Sequence, residues 1–166
     1  MEIKSEEEML NFGENFANHI ITERVTDMGG LPRSSQGRSP ERMSWEGNVR
    51  QDPFHSLVIE LIGDVGAGKT TFVRGLAKGL GITESITSPS FTISKSYAIP
   101  TGGRLIHYDF YRLPNPGLMA DDLQENLADP ANVVVIEWGE SISDLLPKEH
   151  IKITINYTDT GREIIL

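Results

Sequence analysis

Nine residues near the middle of the chain, "GDVGAGKTT" (63–71), constrain it more than any others. Gly63, four residues, Gly68, Lys69 and Thr70 satisfy the pattern G-x4-G-K-[ST] without a mismatch. Each residue type has a physical job. Glycines let the backbone turn tightly and bring its N–H groups against phosphate oxygens. A helix starting directly afterwards adds the positive end of its dipole. Lys69 supplies a point charge for β- and γ-phosphates, and the Thr70 hydroxyl is a ligand for Mg²⁺. The flanks agree: "SLVIELI" (56–62) reads as a short buried strand, and "KTTFVRGLAKGLG" as a helix closed by Gly81 as its C′ residue.

The other segments fill in an α/β domain. Ser5 and Glu8 form a capping box, and Met9, Phe12, Phe16 and Ile20 recur at helical spacing, predicting an amphipathic helix from about residue 5 to 22. "SFTISKSYAI" and "RLIHYDFYRL" alternate like strands and are joined by a Pro-Thr-Gly-Gly turn, which predicts a hairpin. "GLMADDLQENLAD" reads as a short acidic helix, and "NVVVIEW" as a fully buried parallel strand. Ser141 and Asp144 are candidate caps of a short helical turn. "HIKITINY" and "REIIL", joined by "TDTG", predict a terminal hairpin. The expectation is one P-loop NTPase domain over residues 1–166, with a mixed, partly parallel sheet flanked by helices.

Composition narrows the classes. The absence of cysteine excludes disulfides, zinc–thiolate sites and thiol catalysis. The N-terminal "MEIKSEEEML" is acidic and polar, and no run of 18 apolar residues occurs, so neither a signal peptide nor a membrane span is expected and a cytoplasmic protein is. A net charge of -9 argues against gripping nucleic acid unaided, because that needs Lys and Arg on the phosphates. Residues 24–55 differ: this Gly/Pro/Ser/Arg-rich stretch has no periodicity and holds five of the nine arginines. It reads as a long surface insertion, either a solvated loop or a basic arm for a partner or RNA.

A phosphate loop needs an acid at the end of a neighbouring strand. Glu137 follows the β-branched run "VVVI" and should emerge at the carboxyl edge of the sheet, where ligands bind in open α/β folds. Asp109, at the end of "LIHYD", is the second candidate; its rival role is a structural pair with Arg112. Each is a candidate for holding Mg²⁺, directly or through water, or for positioning water. "TSPSFT" (87–92) places hydroxyls, Ser90 among them, where nucleotide switches bring one to the γ-phosphate and Mg²⁺; the simpler alternative is a capped turn before a strand. His107 and His150 lack metal-like spacing and read as structural or surface residues, and Trp138 as core or a partner surface.

Taken in order, "GDVGAGKTTFVRGL", "SPSFT", "HYDFYRL", "VVVIEWGE" and the terminal "GRE" resemble the bacterial TsaE family, the P-loop ATPases of threonylcarbamoyladenosine tRNA modification. The resemblance spans roughly residues 5–22 and 57–166. It implies weak ATP hydrolysis that awakens in complex with TsaB and TsaD, which carry the transfer chemistry, so that tRNA is met only through the complex. It implies that Gly63, Asp64, Val65, Gly66, Ala67, Gly68, Lys69, Thr70 and Thr71 hold the phosphates of ATP. Thr70 would bind Mg²⁺, Glu137 would be Mg²⁺ ligand or catalytic acid, and Asp109 matches the acid of H-x-D-x-Y-R-L. Arg162 falls near the nucleotide, and Glu6, Glu7 and Glu8 where the family approaches the adenine. Three departures stand out: Ser90 replaces the usual Thr, Met9 stands where a Thr is common, and the insertion replaces a short turn.

Three other readings compete. A small-molecule kinase would use arginines in a lid and substrate pocket, yet only Arg162 follows Arg112. A GTPase would carry N-K-x-D, which is absent. A non-catalytic nucleotide-binding module differs from a helper ATPase only in lacking partner-stimulated hydrolysis. Deleting residues 28–50 separates the two views of the insertion: a basic arm predicts lost affinity for partner or RNA, a solvated loop predicts none.

Overall fold

The computed structural model describes residues 1–27, 56–111, 113, 115 and 117–166. Most of the proposed insertion, from residue 28 onward, and Arg112 with its suggested pairing lie outside the described residues.

Seven strands form one sheet: β1 (Glu2–Ile3), β2 (Leu57–Ile62), β3 (Ser94–Ala98), β4 (Arg104–Asp109), β5 (Val133–Glu137), β6 (Ile151–Tyr157) and β7 (Arg162–Ile165), in the order β1-β7-β6-β2-β5-β4-β3. The four central strands, β6, β2, β5 and β4, are parallel. β3 adds antiparallel to β4 at one edge, and β7 and then β1 add antiparallel at the other. Both expected hairpins form, but the first strand begins at Ser94 rather than Ser90, because residues 90–93 turn, and the second ends at Asp109. β6 also runs parallel to β2, and β1 is a short edge strand that the sequence did not announce.

The strands alternate between two apolar layers, as period-two geometry requires. Leu57, Ile59 and Leu61 of β2, Leu105 of β4, and Val133 and Val135 of β5 face helices α1 (Glu6–Asp27) and α2 (Lys69–Gly79). Val58, Ile106, Tyr108, Val134 and Ile136 face α3 (Leu118–Ala128) and a 3-10 helix, Gly139–Leu145. Tyr108 ties α3 to the sheet: its hydroxyl donates to Asp122 Oδ2 at 2.5 Å and accepts from Asn126 Nδ2 at 2.8 Å. Burial, and then the neighbouring Asp122 carboxylate, push this phenol well above the ordinary tyrosine range, so it remains a donor at neutral pH.

α1 begins where the capping box placed it. Glu8 N–H donates to Ser5 Oγ at 3.1 Å, and Glu8 Oε2 accepts from Lys4 N–H at 2.7 Å. The helix continues to Asp27, past the expected end and into the stretch assigned to the insertion. The reason is local: after Gly13 the sequence offers no Gly or Pro until Gly29. α2 ends at Gly79, with Gly81 in the left-handed conformation as expected for C′. Ser141 and Asp144 are not caps; they lie inside the 3-10 helix, whose cap is Trp138 in the left-handed conformation, with no side-chain cap bond.

α1 and α2 approach closely enough for backbones to touch. A Cβ on Gly75 would lie 2.1 Å from the Leu10 carbonyl oxygen, and one on Gly13 would lie 2.4 Å from that of Phe72. Beside this contact Phe12, Phe16 and Phe72 pack with ring centroids 5.4–6.2 Å apart. Gly75→Ala would gain helix propensity at an open site, but here the added methyl meets backbone. The expected outcome is a net loss of about 1–3 kcal/mol, which lowers Tm by roughly 2–10 °C for a domain of this size. A thermal melt at or above wild type would show that the helices separate freely.

Candidate phosphate-binding site

The loop "GDVGAGK" leaves the carboxyl end of β2 and enters α2 through Gly68, whose φ of 112° lies in the left-handed region. A side chain would be strained there, and the Met9 side chain of α1 already packs 3.3 Å from where its Cβ would be. Gly68 contributes no side-chain cap and the first turn of α2 has no acid, so its N–H groups keep their dipole for an anion. The loop is braced from its other side by the terminal hairpin. Tyr157 hydroxyl donates to Val65 O at 3.0 Å and Arg162 Nε donates to Ala67 O at 3.2 Å, while the Arg162 guanidinium stacks over the Tyr157 ring at 5.2 Å.

Lys69 is 5% exposed. Its ammonium donates to Gly63 O at 2.8 Å and Asp64 O at 3.0 Å, lies over the Trp138 ring at 4.7 Å, and stands 3.8 Å from Glu137 Oε2. The other Glu137 oxygen, Oε1, accepts from His107 Nε2 at 2.9 Å and faces Thr70 Oγ1 at 3.4 Å. Lys69, Thr70 and Glu137, up to 68 positions apart in sequence, therefore meet at the sheet edge. The cause is register. β2 and β5 pair in parallel with Leu61 opposite Glu137, so the acid emerges one residue before β2 ends and the loop departs.

Asp109 stands opposite Glu137 across the β4–β5 pair and is engaged at both oxygens. Oδ2 accepts from Ser90 Oγ at 2.5 Å and Oδ1 accepts from the Tyr111 N–H at 3.1 Å. Ser90 Oγ also lies 2.7 Å from Ser88 Oγ, and Lys95 Nζ donates to Thr87 Oγ1 at 2.5 Å, so the hydroxyl loop is laced to β3 and β4. Ile93, a β-branched residue at φ 66°, closes this loop, and its carbonyl accepts from Asp109 N–H at 2.8 Å. Glu7 is exposed on the first turn of α1, where its neighbour Glu6 pairs with Arg74 at 3.3 Å.

Two participants escaped the sequence reading. His107 is fully buried and bonded to Glu137, so of its two expected roles the surface one is excluded and the ring lies beside the candidate acid; "HYD" carried the signal, since His and Asp two apart on a strand share a face. Trp138 lies on the lysine, turned there by its own left-handed conformation at φ 60°. His150 bonds Glu60 Oε2 at 2.9 Å on the opposite face of the sheet.

Among the described residues no group of three or more His, Asp or Glu could hold a metal. Thr70 Oγ1 and Glu137 instead offer a small set of hard oxygen donors. That chemistry fits Mg²⁺, which takes one or two protein oxygens and completes its shell with water and phosphate. The hydroxyl loop gives a separate test. A hydrogen bond to a carboxylate is worth about 1.5–3 kcal/mol. Ser90→Ala should therefore speed amide hydrogen exchange over residues 90–93 by about tenfold or more, while Ser90→Thr keeps protection. Unchanged exchange in Ser90→Ala would mean that the Pro89 turn alone holds the loop.

The sequence profile of the family described as "Threonylcarbamoyl adenosine biosynthesis protein TsaE" matches residues 3–164. Among similar curated proteins, tRNA threonylcarbamoyladenosine biosynthesis protein TsaE of Haemophilus influenzae is 34% identical over 111 residues, covering 67% of this chain and 70% of that protein. The Nostoc protein of the same description is 43% identical over 109 residues, covering 63% and 65%. The Bacillus subtilis one is 41% identical over 112 residues, covering 64% and 66%. The crystal structure of YdiB from Bacillus subtilis superposes with a TM-score of 0.51 at 38% identity, covering 66% of each chain. With a profile match across nearly its whole length and with this mixed α/β P-loop fold, the chain belongs to the TsaE family.

Proposed function

We propose that this protein is an ATP-binding and ATP-hydrolysing accessory factor in tRNA threonylcarbamoyladenosine biosynthesis. It acts in the cytoplasm with TsaB- and TsaD-like partners and meets tRNA only through their complex. The observation that carries the reading is the meeting of Lys69, Thr70 and Glu137 at the mouth of the phosphate loop. Family membership supplies the pathway. The acidic net charge of -9 agrees with tRNA being gripped by others. No helix among the described residues is long and apolar enough to cross a membrane.

The chain's own groups suit the β- and γ-phosphates. The loop N–H groups and the first turn of α2 present fixed positive dipoles, and Lys69 adds a full charge. Thr70 and Glu137 are the residues that would hold Mg²⁺, which when bound neutralises charge on the phosphate oxygens. Glu137 or Asp109, side by side on adjacent strand ends, would orient an attacking water, Asp109 while also holding Ser90 and the Tyr111 N–H. Trp138 shields Lys69, and Arg162 fixes the outer wall of the loop; the exposed Glu7 on the first turn of α1 marks the candidate adenine side. A partner contributing a further group would account for low activity alone; such completion is worth about 10³–10⁵-fold in related phosphoryl transfer.

A kinase reading finds less support. Arg74 is bound to Glu6 and the Ile86 carbonyl, Arg104 to Ser96, and Arg162 to the loop's outer side, so none of these three is placed as a lid arginine.

Lys69→Ala is expected to lower ATP affinity at least tenfold in calorimetric titration; unchanged affinity would sink the phosphate assignment. The pathway is tested by reconstitution with TsaB- and TsaD-like proteins, tRNA, threonylcarbamoyl-adenylate and ATP. Multiple-turnover modification should require this protein and fall by about 10²-fold or more with Glu137→Ala. Indifference to both would overturn the proposal, and a strong preference for GTP over ATP would favour a switch instead.

A further inference from the structure

His107 sits on β4 between Leu105 and Asp109, on the face turned toward α1 and α2, and is 0% exposed. An ionised Glu137 can only accept, so it is His107 Nε2 that carries hydrogen and donates to Oε1. The other ring nitrogen, Nδ1, is buried without a partner. A buried polar atom left unpaired costs free energy that an apolar residue at this position would avoid. The hydrogen bond that His107 makes among the described residues is therefore the one at Nε2.

The geometry around Glu137 shows what that bond does. Lys69 and Glu137 are both about nineteen-twentieths buried, where opposite charges attract strongly. Yet their closest approach is 3.8 Å, against 2.8 Å for the surface pair Lys78 and Glu14. At this separation Oε1 is bonded to His107 and Lys69 to two loop carbonyls. Without the imidazole, the glutamate's rotatable side chain would be free to close on the ammonium. That closure would withdraw the carboxylate from Thr70 and the lysine's charge from the loop mouth together.

We propose that His107 is a positioning residue that holds the Glu137 carboxylate off Lys69 and beside Thr70, keeping both the metal-binding oxygen and the phosphate-binding charge available. The proposal builds on the nucleotide-site reading above. Hydrogen-bond partners that orient a metal ligand in this way typically account for about 10–100-fold in metal affinity.

The test is ATP binding by titration calorimetry across a Mg²⁺ series, which reads Mg²⁺ dependence without turnover. His107→Met removes the donor at similar volume. His107→Gln places an amide nitrogen near the position of Nε2, and His107→Asn places one only near Nδ1. Met and Asn should raise the Mg²⁺ concentration for half-maximal enhancement about tenfold or more, and Gln should stay within about threefold of wild type. In a Glu137→Gln background the Met substitution should add almost nothing, because the two act through one contact. If Met and Asn keep wild-type Mg²⁺ dependence, or if their effect persists in full without the Glu137 carboxylate, His107 is only a core residue. Should His107→Met fail to fold, the Gln–Asn contrast alone decides. If the wild-type protein shows no Mg²⁺-dependent ATP binding at all, the nucleotide reading fails along with the proposal.

Discussion

The parallel register between β2 and β5 is the constraint on which the rest of the molecule depends. Leu61 opposite Glu137 puts the start of the P-loop and the candidate acid side by side, and Asp109 opposite Glu137 extends the same edge by one strand. Because side chains alternate with a period of two, a slip of one residue would turn Glu137 to the far face and Ile136 toward Lys69. The register is enforced by burial: "VVVI" fills both apolar layers, so any slip would need to repack two cores at once.

The sheet buries a second acid by the same means. On one face Glu137 is met by His107 and, at longer range, by Lys69; on the other Glu60 is met by His150 at 2.9 Å and Lys152 at 3.5 Å. A carboxylate in an apolar layer needs donors and countercharge, and both sites combine an imidazole with an ammonium. The difference lies in the lysine. Lys152 is 60% exposed and rides the surface of β6, whereas Lys69 is buried at the entrance of α2, inside the candidate site. Similar chemistry serves packing on one face and the candidate phosphate-binding edge on the other.

The close contact of α1 with α2 completes the frame. Gly13 and Gly75 let the two backbones touch, Met9 reaches Gly68 at the loop's exit, and the terminal hairpin holds Val65 and Ala67 from the outside. The loop is thus clamped by elements from both ends of the sequence. That placement also explains Met9: where a Thr is common in the resembled family, here an apolar side chain packs into the core against the loop.

How much of this was legible beforehand follows from how local each feature is. The capping box of α1, the Gly81 terminus of α2, the β3–β4 turn and the β5 run are written in neighbouring residues, and each appeared where its local chemistry placed it. The far end of α1 is not legible, because the stretch beyond residue 23 has the composition of an insertion, although nothing in residues 24–27 breaks a helix. Ser141 and Asp144 resembled caps, but the turn after β5 is made by Trp138 in a left-handed conformation that an aromatic residue does not advertise.

The sequence by itself determined that a phosphate loop joins a buried strand to a helix, and that two acids end neighbouring strands. Spacing of a few residues and an alternating pattern are sufficient for that. Only the tertiary structure decided which groups share the edge. Strand order and register brought together Lys69, His107, Glu137 and Trp138, set Ser90 on Asp109, and carried Arg162 to Ala67. Those contacts join residues separated by 19 to 95 positions when the bonds of Ser90 and Arg162 are compared, and no local propensity specifies them.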